Sequence, residues 1–207
     1  MEVTTLTIGP MPTNCYVCTD ESSGQCAVID PAYDCKALKD AVCGREIAYI
    51  LLTHAHADHI MGISAIKQEN TKLICHKNEA NRLNSSYESL YDYLGLYDRP
   101  FEPHRADRFV YDRDVITLGG SEFKVLHTPG HTDGSVCFQC GDIIFSGDTL
   151  FSMGVGRMDF PSGSSAMMIK SVKRLFGLKG DLLIYPGHGE TTTLDRERTY
   201  NPMAEII

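Results

Sequence analysis

Short apolar runs of strand length alternate along the chain with turn residues and with segments whose apolar positions recur at helical spacing. Run length and periodicity predict strands over 3–8, 14–19, 25–29, 47–52 and 72–75, then over 109–111, 115–118, 122–127, 134–139, 142–146 and 181–185. Helices are predicted over 34–43, 59–69, 76–82, 86–93 and 164–176, the last carrying Met167, Met168, Val172 and Leu175 as a core stripe. Strands dominate both halves while helices recur between them. That pattern predicts an α+β chain with two sheets packed face to face and helices outside. No Pro/Gly/Ser-rich linker or charge block divides the 207 residues, so one domain over 1–207 is expected.

Composition narrows the class. Hydrophobic residues make up 43% and charged residues 22%, and the net charge of −8 comes from 27 acidic and 19 basic side chains. A soluble globular protein fits, and a nucleic-acid surface, which needs clustered Lys and Arg, is not expected. The start, MEVTTLTIGP, lacks the basic-then-apolar layout of a secretion signal, and no apolar run approaches membrane-span length. A cytoplasmic location with no membrane partner is the expectation. Most of the eight cysteines sit in or beside apolar segments and read as small buried hydrophobes. The CxxC pairs Cys15/Cys18 and Cys137/Cys140 lie in extended segments rather than knuckle turns, so they too read as packing.

The chemistry gathers at 53–59, where THAHADH stands directly behind the apolar run IAYILL. Each buried imidazole needs a hydrogen-bond partner and each carboxylate a charge partner, needs that a metal meets together. Two further segments, FKVLHTPGH and LLIYPGHG, repeat the layout of an apolar strand followed by a glycine-bearing turn with histidine, and DIIFSGDTLF places Asp148 likewise. Loops leaving the same ends of neighbouring strands can converge. His54 and His56, two apart, can clasp one ion, while the turn into a following helix swings Asp58 and His59 toward a second position. With His131, Asp148 and His188 the set is too large for one coordination sphere. Two ions with a carboxylate between them fit better, and the donors suit zinc, iron or manganese rather than calcium. Of the other histidines, His127 and His76 read as packing or as supports for ligands, and His104 as exposed.

THAHADH, TPGHTDGS at 128–135, SGDTLF at 146–151 and YPGHGETT at 185–192, in that order, resemble the metallo-β-lactamase superfamily. GVGRMDFPSG at 154–163 and the final NP are similar to its short glyoxalase II-like (hydroxyacylglutathione hydrolase-like) branch. The resemblance implies an αββα sandwich of two mixed sheets with a dinuclear centre in a groove at one edge. It implies that His54, His56 and His131 hold one metal, that Asp58, His59 and His188 hold the other, and that Asp148 bridges them. Zinc is the default metal. It further implies a hydrolase in which a water held between two ions attacks a substrate carbonyl, with Asp58 orienting that water as well as binding metal. Many lactam-cleaving relatives place a cysteine where this chain has Asp148, so a small-molecule thioester such as S-(2-hydroxyacyl)glutathione is the expected substrate. A departing thiolate, of conjugate-acid pKa about 8.5, needs little help from an acid. Only 19 residues follow His188, too few for the helical domain that grips glutathione in full-length glyoxalase II. The alternatives are an iron-dependent persulfide dioxygenase and a nonenzymatic metal-binding module.

Residues 81–109 are expected to cover the groove. Tyr87, Tyr91, Tyr93 and Tyr97 offer rings and hydroxyls there, and Arg82, Arg99, Arg105 or Arg157 could meet a substrate carboxylate. Tyr87, Tyr91 and Arg157 are the candidates for substrate contact, although Arg157 reads first as a salt bridge steadying its loop.

Overall fold

The computed structural model describes residues 1–96 and 98–207; Tyr97, one of the tyrosines expected in the cover, lies outside the described residues. The first half runs β1 (Glu2–Ile8), β2 (Thr13–Thr19), β3 (Cys26–Ile29), α1 (Lys36–Ala41), β4 (Ile47–Leu51), α2 (Ala57–Ile60), α3 (Ile63–Ile66), β5 (Lys72–His76), α4 (Tyr91–Leu94) and β6 (Arg108–Val110). The second runs β7 (Val115–Leu118), β8 (Ser121–His127), β9 (Val136–Cys140), β10 (Ile143–Gly147), α5 (Ser165–Phe176), β11 (Leu183–Pro186), β12 (Thr192–Thr193) and α6 (Leu194–Tyr200). Each half forms one six-stranded sheet, ordered β1-β2-β3-β4-β5-β6 and β12-β11-β10-β9-β8-β7. Both are mixed: β3 to β6 pair in parallel, as do β10 and β11, and the remaining pairs are antiparallel.

The period-2 alternation of the strands produces the layering. Along β2 and β3, Cys15, Val17, Cys26 and Val28 face a core shared with Leu38 of α1 and Ile60 and Ile63 of α2 and α3. Their neighbours Tyr16, Cys18, Ala27 and Ile29 face the opposite way, into a core shared with Phe123, Phe138 and Phe145 of the second sheet. On that sheet's far side, Cys137, Ile144 and Ile184 pack against Met168, Val172 and Leu175 of α5. Three apolar layers between four layers of backbone make an αββα sandwich. The same alternation settles the CxxC pairs: Cys15 and Cys18, and likewise Cys137 and Cys140, lie in different cores on opposite faces of their strands. All eight thiols are free, and burial raises that of Cys137 to about 11.

Local departures from the predicted elements have local causes. The helix predicted over 59–69 starts at Ala57 and breaks at Gly62, whose N–H donates to the Pro31 carbonyl at 2.7 Å. A Cβ there would come within 2.5 Å of that oxygen, so the chain dips toward β3 instead of continuing the helix. The helix predicted over 86–93 shrinks to Tyr91–Leu94 because Leu90 takes a left-handed backbone, φ 64°. Residues predicted helical over 76–82 form two short 3₁₀ turns, Lys77–Glu79 and Arg82–Asn84. Strand β12 and helix α6 were not predicted: LDRERTY offers one aliphatic residue and no apolar stripe, and Thr193 caps it by accepting the Arg196 N–H. No helix among the described residues is long and apolar enough to cross a membrane.

Candidate metal centre

Strands β3 and β4 run parallel in the first sheet, and β8, β10 and β11 share a direction in the second, so their C-terminal ends meet along one edge of the sandwich. The β4 loop carries His54, His56, Asp58 and His59; the loops after β8, β10 and β11 carry His131, Asp148 and His188. Cross-links hold these loops together. The Val136 N–H donates to the Thr53 carbonyl at 2.9 Å, and the Asn14 N–H donates to the Gly187 carbonyl at 2.7 Å. Glu79, fully buried, accepts from the Ala55 N–H at 2.9 Å and the Thr132 hydroxyl at 2.6 Å, bracing the loops of His54 and His131 against each other. Arg82 balances its charge at 3.1 Å and reaches Asp133 at 2.8 Å. At Gly187 a Cβ would fall 2.2 Å from Asp148 Oδ1, so only glycine lets the His188 loop close over that carboxylate.

The seven side chains form two adjoining groups. Ring nitrogens of His54, His56 and His131 lie within 4.8 Å of one another, and so do donor atoms of Asp58, His59 and His188. His131 Nε2 stands 2.9 Å from His56 Nδ1, short of the roughly 3.3 Å between two tetrahedral ligands on one ion with metal–nitrogen bonds of about 2.0–2.1 Å. Asp148 lies between the groups: Oδ2 is 3.5 Å from His131 Nε2 and 3.7 Å from His188 Nε2, while Oδ1 is 3.5 Å from His59 Nε2. His188 Nε2 is 3.2 Å and His59 Nε2 3.5 Å from Asp58 Oδ2. Three buried atoms of the cluster, His54 Nε2, His59 Nε2 and Asp148 Oδ1, have no hydrogen-bond partner. Each such orphan costs about 1–3 kcal/mol unless something binds it, and imidazole nitrogens beside a carboxylate are the donor set of a transition-metal site.

Outer partners fix the rings. Asp30, buried at the end of β3 with φ 48°, accepts from the Thr53 N–H at 2.8 Å and the Thr53 hydroxyl at 2.6 Å, and meets His59 Nδ1 at 2.9 Å. That commits Nδ1 of His59 outward and leaves Nε2 for the cluster. His131 Nδ1 donates to the Arg157 carbonyl at 2.7 Å, and the Thr13 hydroxyl donates to Asp58 Oδ2 at 3.0 Å. Sequence reasoning missed Asp30, Thr13 and Glu79. Asp30 had a signal, since CAVID repeats the layout of an apolar strand followed by a carboxylate; Thr13 and Glu79 had none.

Electrostatics agree with a cation site. Burial, then neighbouring imidazoles, push His54 and His56 well below the ordinary histidine range, leaving them in the neutral form that binds metal. Burial disfavours the His59 cation, yet the carboxylates of Asp58, Asp148 and Asp30 outweigh it and raise His59 to about 10. Burial also opposes the upward shift of His188, which its hydrogen bond to Asp58 and the charge of Asp148 overcome. Burial would raise Asp58, but His59 and His188 hold it low. The carboxylates thus draw positive charge onto any group among them.

A cavity of about 330 Å³ opens on this cluster, lined by His56, Asp58, His131, Asp148 and His188 and walled by Met11, Leu90, Leu94, Phe151, Arg157 and Phe160. Of the proposed substrate contacts, Arg157 lines it, and Tyr87 lines an adjoining outer cleft. Tyr91 turns inward instead, packing with Ala57 and Leu96 and donating its hydroxyl to the Arg99 carbonyl. Arg82 is spoken for by Glu79 and Asp133, and Arg99 pairs with Asp34. Arg157 pairs with Asp159 through two hydrogen bonds of 2.7 and 2.8 Å. His76 and His127 stack on each other at 4.3 Å, and His104 is half-buried rather than exposed.

A family model described as the metallo-beta-lactamase superfamily matches residues 8–188. The hydroxyacylglutathione hydrolase GloC of Haemophilus influenzae is 31% identical over 98% of this chain and 97% of its own. Among crystal structures, BLEG-1 B3 metallo-beta-lactamase superposes with a TM-score of 0.87 at 30% identity, covering 97% of this chain and 98% of that one. TTHA1623 in a di-iron-bound form gives 0.83 at 32% identity over 97% and 99% of the two chains. ETHE1 from Myxococcus xanthus gives 0.78 at 29% identity over 98% and 84%.

Proposed function

The chain belongs to the metallo-beta-lactamase superfamily, and from that membership we propose that it is a dinuclear metal-dependent hydrolase whose substrate is a thioester. The observation that carries the dinuclear part is Asp148, whose two oxygens reach toward different histidine groups at 3.5 Å. In this reading His54, His56 and His131 hold one ion, Asp58, His59 and His188 the second, and Asp148 both. Zinc is the expected metal, with iron or manganese as alternatives; the likeness to a di-iron-bound structure supports iron. Such ions, when bound, polarise a carbonyl and lower the pKa of a coordinated water.

The chain's own groups do the positioning. Thr13 fixes Asp58 at Oδ2, so this carboxylate can orient the attacking water and take its proton. Asp30 and the Arg157 carbonyl hold the ring planes of His59 and His131. Among the described residues of the segment expected to cover the groove, Leu90 and Leu94 reach the cavity and act as its cover. Among the described lining residues every histidine and aspartate is a proposed ligand, and the remaining ionisable group is Arg157, which has no proton to give at neutral pH. An amine leaving group would therefore depend on Asp58 returning the proton it took from the water, whereas a thiolate, of conjugate-acid pKa about 8.5, departs unaided. The likeness to a hydroxyacylglutathione hydrolase supports the same substrate class.

A second reading, iron-dependent oxidation of a persulfide by oxygen, draws on the likeness to ETHE1. A single iron would leave the convergence of Asp58, His59 and His188 without a use. The test is a panel presenting one acyl group as thioester, oxygen ester and amide, with a β-lactam beside it because of the likeness to BLEG-1. Thioester cleavage should lead, ester should follow, and chelation should abolish both. A lactam cleaved faster than every thioester would refute the assignment.

A further inference from the structure

Glu79 is a fully buried carboxylate on the 3₁₀ turn Lys77–Glu79, and among the described residues that line the cavity neither it nor its partner Arg82 is found. Burying an ion pair costs free energy that the pairing often fails to return, and apolar side chains of the same volume would pack as stably. What the carboxylate binds therefore indicates its use. Oε2 accepts from the N–H of Ala55, the residue between His54 and His56, and Oε1 accepts from the hydroxyl of Thr132, which follows His131. One side chain thus holds the backbone beside all three ligands proposed for the first ion. Gly134 leaves room for this approach, since a Cβ there would fall 2.3 Å from Oε1.

Arg82 extends the hold to the segment behind His131. Its Nη1 donates to Glu79 Oε1 at 3.1 Å, and its Nη2 donates to Asp133 at 2.8 Å and to the Ser162 hydroxyl. Ser162 lies on the segment that begins at Arg157, whose carbonyl accepts from His131 Nδ1. The second group is anchored elsewhere. Thr13 holds Asp58, Asp30 holds His59, and the Ala57 N–H fixes their helix to the Ser89 carbonyl at 2.7 Å. The Asn14 amide ties down the His188 loop through the Pro186 and Gly189 carbonyls at 3.0 and 2.9 Å. None of these contacts runs through Glu79. His56 Nδ1 and His131 Nε2, now 2.9 Å apart, would stand roughly 3.3 Å apart on one tetrahedral ion, so the spacing of their two loops decides how well that ion is held.

We infer that Glu79, with Arg82 as its counter-charge, is the positioning residue of the site formed by His54, His56 and His131. By fixing the spacing of the two loops it sets the metal affinity of that group and not of the group formed by Asp58, His59 and His188. This rests on the dinuclear reading.

The experiment uses the full chain with zinc as the probe, titrated against a chromophoric chelator. His188→Ala leaves the first histidine group complete, and His56→Ala leaves the second. Thr132→Val removes one donor to Glu79 with little change of shape, while Glu79→Gln turns an amide N–H toward a neighbouring donor and frees one loop. In the His188→Ala background each should weaken zinc binding on the order of tenfold, as loss of an outer partner does. In the His56→Ala background neither should change it. Thr132→Ser, which keeps the hydroxyl, should match the parent residue in both. A brace that served the fold alone would lower the urea midpoint of the metal-free protein and shift both affinities together. Equal weakening of the two groups, or a first group left unweakened by Thr132→Val, would overturn the inference. Zinc stoichiometry of the parent protein tests the reading beneath it. One equivalent, still weakened by Thr132→Val, would refute the second ion and keep the brace, whereas one equivalent that Thr132→Val leaves unchanged, or none, would refute both.

Discussion

Asp148 touches both histidine groups, so its removal distinguishes two ions from one. Asp148→Ala should lower bound metal from near two equivalents toward one and remove most hydrolytic rate, whereas His127→Ala, altering a ring stacked on His76 outside both groups, should keep both ions. Elemental analysis of the two variants decides it; full metal and full rate in the Asp148 variant would exclude the bridge. That these seven side chains share one place was legible because each follows an apolar strand closely. Glu79 and Thr13 were not legible, since their partners lie 24 to 53 residues away and no spacing rule links them. His76 gives a test away from the metals. Burial and the stacked His127 push it down to about 4, with Asp133 opposing. Between pH 6.5 and 4 the unfolded chain therefore binds a proton that the folded chain refuses, and stability falls as pH falls through that window. His76→Phe keeps a stacked ring and removes the titration. The difference in urea midpoint between variant and parent should shift in the variant's favour from pH 7 to 4.5, and a constant difference would contradict this origin.

The elements that hold the site differ in how openly the sequence declares them. Strands and α5 carry their period in their apolar residues, so they were found nearly in place. The helical segments beside the site did not, because Gly62 and Leu90 interrupt them for tertiary reasons: contact with Pro31 and placement on the cavity wall. Helix α5 links packing to the site. Its cap, Ser164, accepts the Met167 N–H and donates its own N–H to the Gly130 carbonyl at 2.8 Å, while a Cβ on Gly130 would fall 2.6 Å from Met168 Cα. The first turn of α5 thus sets the height of the His131 loop. Ser164→Ala should cost about 1 kcal/mol of stability in urea unfolding. A loss within error would mean that the loop, rather than the cap, fixes this end.

Across the whole molecule, the candidate centre joins the two sheets: His54, His56, Asp58 and His59 come from the first and His131, Asp148 and His188 from the second. Bound ions would staple the halves, so stability and catalysis should fall together on chelation. The face-to-face sheets were legible because strands dominate both halves of the sequence while helices recur between them. The six-strand order within each sheet was not, because it depends on which strands meet rather than on what each strand is. The central claim is a hydrolase that uses two ions and no oxygen. Its most direct test is thiol release from a small 2-hydroxyacyl thioester, followed in air and under nitrogen, before and after chelation. The rate should be the same in both atmospheres, with one acid formed per thiol, and should vanish with the metal. No thiol release, with oxygen uptake on glutathione persulfide by the same iron-loaded protein, would contradict it.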